Sequence, residues 1–231
     1  MRTQVGIIGA GPAGLMLSHL LAREGIESVI VEDRSRDYLE ARIRAGVIEN
    51  WVADLLAETG VGARMLREGL VHDGIEIRIN GEHRHIDFKR LTGRGIMVYG
   101  QHEVVKDLIT KRLAAGGQIE FGVSDTSVHD FNGKAPKIRY KKDGEAREIA
   151  CDFIAGCDGF HGICRPAIKN VLTEYERIYP FGWLGILSQS PPPWHELIYS
   201  YTDRGFGLYS MRSSTVARLY LQCAPDEDLA N

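Results

Sequence analysis

The hexapeptide GAGPAG, residues 9–14, has the glycine spacing of a turn that cradles a dinucleotide. Gly9 would make the tight turn, Gly11 would let a pyrophosphate approach the backbone, and Gly14 would let helix and strand pack closely. A helix opening there offers free N–H groups and a partial positive charge to phosphates. Such a pattern alone fits any glycine-rich strand-to-helix turn. What strengthens it is Glu32 at the end of the next strand, an acidic side chain placed to accept a hydrogen bond from a ribose hydroxyl. A second stretch, CDFIAGCDGFHGICR (151–165), runs as a strand into Asp158-Gly159. Asp-Gly is a common turn pair, yet ligands in open α/β sheets bind at strand carboxyl ends. His161 and Arg165 follow closely enough to approach phosphates.

Two further stretches carry arginines. ARIRAG (41–46) holds Arg42 and Arg44. Read as helical, they lie on different faces and serve either two ligands or a solvated surface. GLYSMRSS (207–214) reads as a strand that places Ser210 and Arg212 on the face carrying Phe206 and Leu208. A guanidinium buried on that face needs an anionic partner, so either the strand end turns to water or an anion docks there.

The elements that must position these residues are legible in outline. A strand over Gln4–Ile8, a helix over Ala13–Glu24 and a strand over Ser28–Glu32 make a βαβ unit. A helical pattern runs from Leu39 to about Leu66, interrupted near ETGVGA. IEIRING and IDFKRL alternate like strands joined at Asn80-Gly81, and HEVVKDLITKRLAAGG (102–117) reads as a helix ended by its glycines. IEFGVSDTSVHDF, APKIRYKK and AREIACDFIAGCDG read as three strands. FGWLGILSQS, HELIYSY, GFGLYSMR and VARLYLQC form a last antiparallel set, after which CAPDEDLAN follows with no packing segment, as expected of the N-terminal portion of a longer protein. The expected fold is mixed α/β: a discontinuous dinucleotide-binding, Rossmann-like domain (1–70 and 97–178), an interleaved antiparallel sheet (71–96 and 179–223) and a tail (224–231).

Composition bounds the function. Across 231 residues, 44% hydrophobic and 26% charged content are ordinary for a globular protein, and a net charge of −3 argues against nucleic-acid or membrane-surface partners. The four cysteines show no CxxC spacing and read as free thiols in a reducing, cytoplasmic compartment. The apolar stretch from Val5 to Ala22 is broken by Gly9, Gly11, Pro12 and Gly14, unlike a spanning helix.

The glycine turn near the start and the central Asp-Gly pair make the sequence resemble the flavoprotein aromatic hydroxylases, the single-component FAD monooxygenases. GAGPAGL, ARIRAGV, GLVHDGIEI, DFKRL, VYGQ, AGCDGFHGI, YPFGWLGIL and HELIY lie in order across nearly the whole chain. The resemblance is therefore specific to the branch acting on 4-hydroxybenzoate, and it implies FAD as cofactor and NADPH or NADH as co-substrate. It implies that Gly9, Gly11, Gly14 and Glu32 hold the adenosine side of FAD. Arg44 and Gln101 would hold the pyrophosphate and ribityl chain, with Asp158 near them and Arg218 close to the flavin. Arg42 and His161 would meet the nicotinamide nucleotide. Ser210, Arg212 and Tyr220 would grip the substrate carboxylate, Tyr199 would contact the phenol, and His72 would be the solvent end of a proton relay. On residue pattern alone, Tyr199 and Tyr220 read equally as half-buried strand tyrosines. Cys164 stands where the family usually has serine, and the family's later Gly-Asp motif, second relay tyrosine and proline-rich segment are absent from the chain. The expected partner is a small aromatic acid, with a homodimer left open. A hydroxylase of another phenolic acid, or an inactive FAD-binding piece, are the alternatives.

Overall fold

In the computed structural model, residues 1–228 are described. In chain order the elements are β1 (Val5–Ile8), α1 (Pro12–Arg23), β2 (Ser28–Glu32), α2 (Arg36–Ala41), β3 (Val47–Glu49), α3 (Asn50–Glu58), α4 (Ala63–Glu68), β4 (Leu70–His72), β5 (Gly74–Ile79), β6 (Glu82–Asp87), α5 (Phe88–Thr92), β7 (Ile96–Val98) and α6 (Gln101–Ala114). There follow β8 (Gln118–Phe121), β9 (Ser124–His129), β10 (Lys137–Lys142), β11 (Glu145–Ala150), β12 (Phe153–Gly156), α7 (Cys164–Ala167), β13 (Gly182–Ser188), β14 (Leu197–Thr202), β15 (Gly205–Ser213) and β16 (Val216–Cys223). Two compact units result: Met1–Arg44 with Gln101–Glu174, and Ala45–Gly100 with the described residues from Tyr175.

The first unit is built on a parallel sheet in the order β12-β1-β2-β8. Its central strands β1 and β2 are buried almost throughout, as packing between two layers demands. Ile8, Val29 and Val31 meet Ile138, Tyr140 and Ile149 of the antiparallel sheet β11-β10-β9. Ile7 turns the other way, toward Gly14 of α1, which packs on α6. Arg112 ties this helical layer to the sheet. Its buried guanidinium donates to Ser18 Oγ of α1, to Ser28 O at the start of β2 (2.5 Å) and to Gln118 O at the start of β8 (3.1 Å).

The second unit holds a six-stranded sheet, β13-β16-β15-β14-β5-β6, in which only β14 and β5 run parallel. Asn80-Gly81 closes the β5–β6 hairpin with both residues at positive φ, 48° and 88°. A three-stranded sheet, β3-β7-β4, completes it.

The observed elements differ from the expected ones at five places. Residues 42–46 are extended, not helical: α2 ends at Ala41, and the chain then crosses from one unit into the other. Residues 45–70 belong with the second unit, because α3 packs on β3 and β7 there. Only the first two residues of IDFKRL are strand, since Asp87 Oδ1 accepts the Arg90 N–H (2.7 Å) and caps α5. The stretches 119–131 and 146–159 each split between two sheets, the first at Gly122 (φ 65°) and the second at Cys151-Asp152. Of the expected tail, residues 229–231 lie outside the described residues.

Candidate functional site

In the first unit the glycine turn is held by the ends of three strands. Gly9 leaves β1 at φ 102°, and a Cβ there would fall 2.4 Å from Cys157 O just beyond β12. Gly14 sits against Gly9 O, where a side chain has no room. Gly11 is different: a Cβ there meets nothing within 4 Å, so the protein does not itself demand glycine and the open side is left to a ligand. Gly11 also caps α1 without any side-chain hydrogen bond, and the first turn holds no acidic residue. The N–H groups and positive end of that helix are therefore available to an anion.

Glu32 locks this turn to the end of β2. Its Oε2 accepts the Ala10 N–H (2.7 Å) and its Oε1 the Arg34 N–H (2.9 Å), with the residue only 7% exposed. Burial, helped by Asp33, pushes its carboxyl above the usual range in spite of those two bonds. Each oxygen keeps a lone pair for a hydroxyl donor. Asp158 is less committed to a ligand than the resemblance implies: its Oδ2 accepts the Cys164 N–H (2.9 Å), folding the carboxylate back over Gly162. Burial and the same carboxylate push the Cys164 thiol up to about 12, so it stays protonated and unreactive.

Gly9, Gly11, Gly14, Glu32 and Asp158 are thus brought together at neighbouring strand ends. Of the remaining cofactor candidates in this unit, two sit against aromatic rings. Arg42 lies over the Tyr38 ring (5.5 Å), which Arg34 covers as well (5.4 Å). His161 meets Phe160 edge to face (5.0 Å). Arg44 is exposed, and Gln101 is the half-buried first residue of α6.

In the second unit the substrate candidates gather on one sheet face. Tyr199, Leu208 and Tyr220 are register partners across β14, β15 and β16, and Ser210 pairs with Arg218 in the next row on that face. The two tyrosines stand two strand spacings apart, about 9–10 Å at the backbone, with Leu208 between them. Ser210 is buried and its hydroxyl donates to Arg218 O (3.2 Å). The Arg218 guanidinium lies over the Tyr220 ring (4.6 Å).

Strict alternation does not carry Arg212 to this group. The β15–β16 register shifts between Met211 and Ser213, and the bulge re-aims Arg212. Its Nη1 donates to Met211 O (3.0 Å) and its Nη2 to Tyr220 Oη (3.3 Å). Gly46 makes room: a Cβ there would fall 2.9 Å from Nη1. Burial lowers the Arg212 pKa; Tyr220 opposes that shift and Arg218 adds to it. A half-buried guanidinium beside a second arginine has the geometry and charge to bind a carboxylate.

His72 departs from its expected place. It is 1% exposed in β4, so it is not at a solvent boundary, and both ring nitrogens are buried without a hydrogen-bond partner. Burial lowers its pKa; Glu196 pulls it up and His195 pushes it further down. Sequence reasoning missed Glu196 and His85, which pair at 2.7 Å, and Gly46 and Tyr38. The signals were weak: Glu196 is a lone acid heading an apolar strand, and Gly46 ends the arginine motif.

A parallel sheet whose first strand runs through an uncapped glycine turn into a helix is the frame of a dinucleotide-binding domain. The chain belongs to the family described as FAD binding domain, matched over residues 2–231. FAD is its cofactor, and the open side of Gly11 with the bare α1 terminus fits that group.

Among known proteins it is 48% identical over 233 residues to the p-hydroxybenzoate hydroxylase of Acinetobacter baylyi, a match covering 100% of this chain and 57% of that relative. The chain therefore spans little more than half of the relative's length. It is 25% identical over 191 residues to the kynurenine 3-monooxygenase of Sus scrofa, covering 79% of this chain and 40% of that protein. Among solved structures, the p-nitrophenol 4-monooxygenase of Pseudomonas putida shares the fold at a TM-score of 0.84 and 16% identity, covering 99% of this chain and 60% of that one.

Proposed function

We propose that the protein carrying this chain hydroxylates 4-hydroxybenzoate beside its phenol to give 3,4-dihydroxybenzoate, consuming NADPH or NADH and O2. The observation that supports this best is the Arg212 guanidinium, half-buried at a bulge and hydrogen-bonded to Tyr220, with Tyr199 on the same sheet face as Tyr220. In this reading Arg212, Ser210 and Tyr220 bind the carboxylate, the guanidinium as a fork. Tyr199 meets the phenol at the other end of the ring. A phenolate is a far better carbon nucleophile than a phenol, and His72 takes part in removing that proton. Bound FAD supplies the redox and oxygen chemistry. Gly9, Gly11, Gly14 and Glu32 orient its adenosine side, Arg44, Gln101 and Asp158 its phosphate and ribityl region, and Arg218 lies near its ring. Arg42 and His161 meet the nicotinamide nucleotide. The four cysteines are free, which fits a reducing cytoplasm, and no described helix is long and apolar enough to cross a membrane.

The test is turnover by the FAD-loaded full-length protein. One 3,4-dihydroxybenzoate should form per reduced nicotinamide consumed, with 4-hydroxybenzoate preferred over other phenolic acids. Hydroxylation of a phenol lacking a carboxylate at equal efficiency would overturn the substrate assignment.

A further inference from the structure

The ring of His72 has no contact with solvent and no hydrogen-bond partner for either nitrogen. Buried polar atoms are nearly always satisfied, so a buried imidazole left open at both nitrogens asks for a reason. A second buried titratable group lies close by in the same unit. Glu196 is 6% exposed; its Oε1 accepts the N–H of Gly74, two residues beyond His72, at 2.8 Å. Its Oε2 stands 2.7 Å from His85 Nε2. The His85 side chain is 42% exposed and lines an open cavity of about 680 Å³. Gly74 makes this pairing sterically feasible: a Cβ there would fall 2.7 Å from His85 Nε2 and 2.3 Å from Ile86 O.

We propose that Glu196 and His85 are the outer leg of a proton path whose inner end is His72, so that His85 is the group that meets solvent. The proposal deepens the hydroxylase reading and rests on it only for what the path serves. A proton on the His72 ring, which makes no hydrogen bond to Glu196 directly, passes through an intervening water to the Glu196 carboxylate, which hands it to unprotonated Nε2 of His85. His85 then releases its Nδ1 proton to water, and the other tautomer returns by exchange with solvent; one proton enters and one leaves. Glu196 and His85 are positioning and relay residues, with no contact to substrate claimed. The charged groups around the pair are Glu76, opposite His85 in the β5–β6 register, and Asp73, Asp87, Lys89, Arg90 and His195 around the cavity.

The test is the rate at which the His72 ring proton exchanges with solvent, read by NMR on histidine-labelled, FAD-loaded full-length protein without substrate. His85→Gln should slow the exchange at least about tenfold, and added imidazole should restore it through the cavity. Glu196→Gln keeps the shape and an acceptor for Gly74 but cannot carry a proton, and should give the same loss without rescue. Unchanged exchange in both variants, with FAD content retained, would overturn the path. A wild-type protein that fails to hydroxylate 4-hydroxybenzoate while showing these exchange effects would instead overturn the functional reading and leave the path standing.

Discussion

Replacing Arg212 by lysine keeps the positive charge and removes the fork. Arg212 divides its nitrogens, Nη1 toward Met211 O at 3.0 Å and Nη2 toward Tyr220 Oη at 3.3 Å. A lysine offers one nitrogen on a flexible stem, so holding Tyr220 and gripping both oxygens of a carboxylate become competing demands. Losing one limb of a buried, charge-assisted pair costs about 2–4 kcal/mol, which at 1.4 kcal/mol per decade weakens 4-hydroxybenzoate binding roughly 30- to 1,000-fold. Burial already lowers the pKa of Arg212, and an ammonium there would be pressed down by the same desolvation and by Arg218, so the upper part of the range is expected. The assay is a titration of the flavin absorbance of the full-length protein with substrate, alongside its FAD content, which should not change. Binding as tight as the wild type would refute the reasoning, since it would mean that the carboxylate is held elsewhere.

Three further outcomes are expected. His72 titrates below its ordinary value in the folded protein, so as pH falls the unfolded chain takes up the proton first. The contribution of His72 to stability should be full at pH 7.5 and fall away below about pH 6.5, and urea midpoints of His72→Gln should lack that part of the pH dependence. Arg112→Met should strand its partners at Ser18, Ser28 and Gln118 and cost about 2–4 kcal/mol in urea unfolding; a loss under about 0.5 kcal/mol would show that water replaces the guanidinium. In the segment 33–38, Arg34 and Arg36 are matched by Asp33 and Asp37, and the arginines already pair with Asp33 (3.5 Å) and Glu40 (2.6 Å). NADH and NADPH should therefore be used within about tenfold of each other by kcat/KM, a preference of a thousandfold either way being contrary.

The parts legible in the sequence are those whose causes are local. The turns at Gly9 and at Asn80-Gly81 need positive φ, which the residue types themselves announce, so both could be read directly. Strand alternation placed Tyr199 and Tyr220 on strands, and only the family resemblance gave them a role. What escaped depends on partners far away or on broken regularity. The bulge at Arg212 is one residue of slippage against β16, which an alternating pattern does not announce. Glu196 acquires its meaning from Gly74 and His85, more than a hundred residues earlier, through the parallel pairing of β14 with β5. Arg42 and Arg44 look helical because their neighbours do, whereas the chain there is leaving one unit for the other. His72 sits in a short polar-looking stretch, and nothing local shows that β4 is covered.

In the proposed function, the sheet face of Tyr199, Ser210 and Tyr220, with Arg212 at the β15 bulge, receives an aromatic ring bearing a carboxylate at one end and a phenol at the other. The most direct measurement is a flavin-absorbance titration of the full-length protein with 4-hydroxybenzoate and, in parallel, its methyl ester. The ester keeps the ring and the phenol and removes only the negative charge. The ester should bind at least about a hundredfold more weakly, the loss expected when a half-buried guanidinium is deprived of its counter-ion. Equal binding of acid and ester would contradict it.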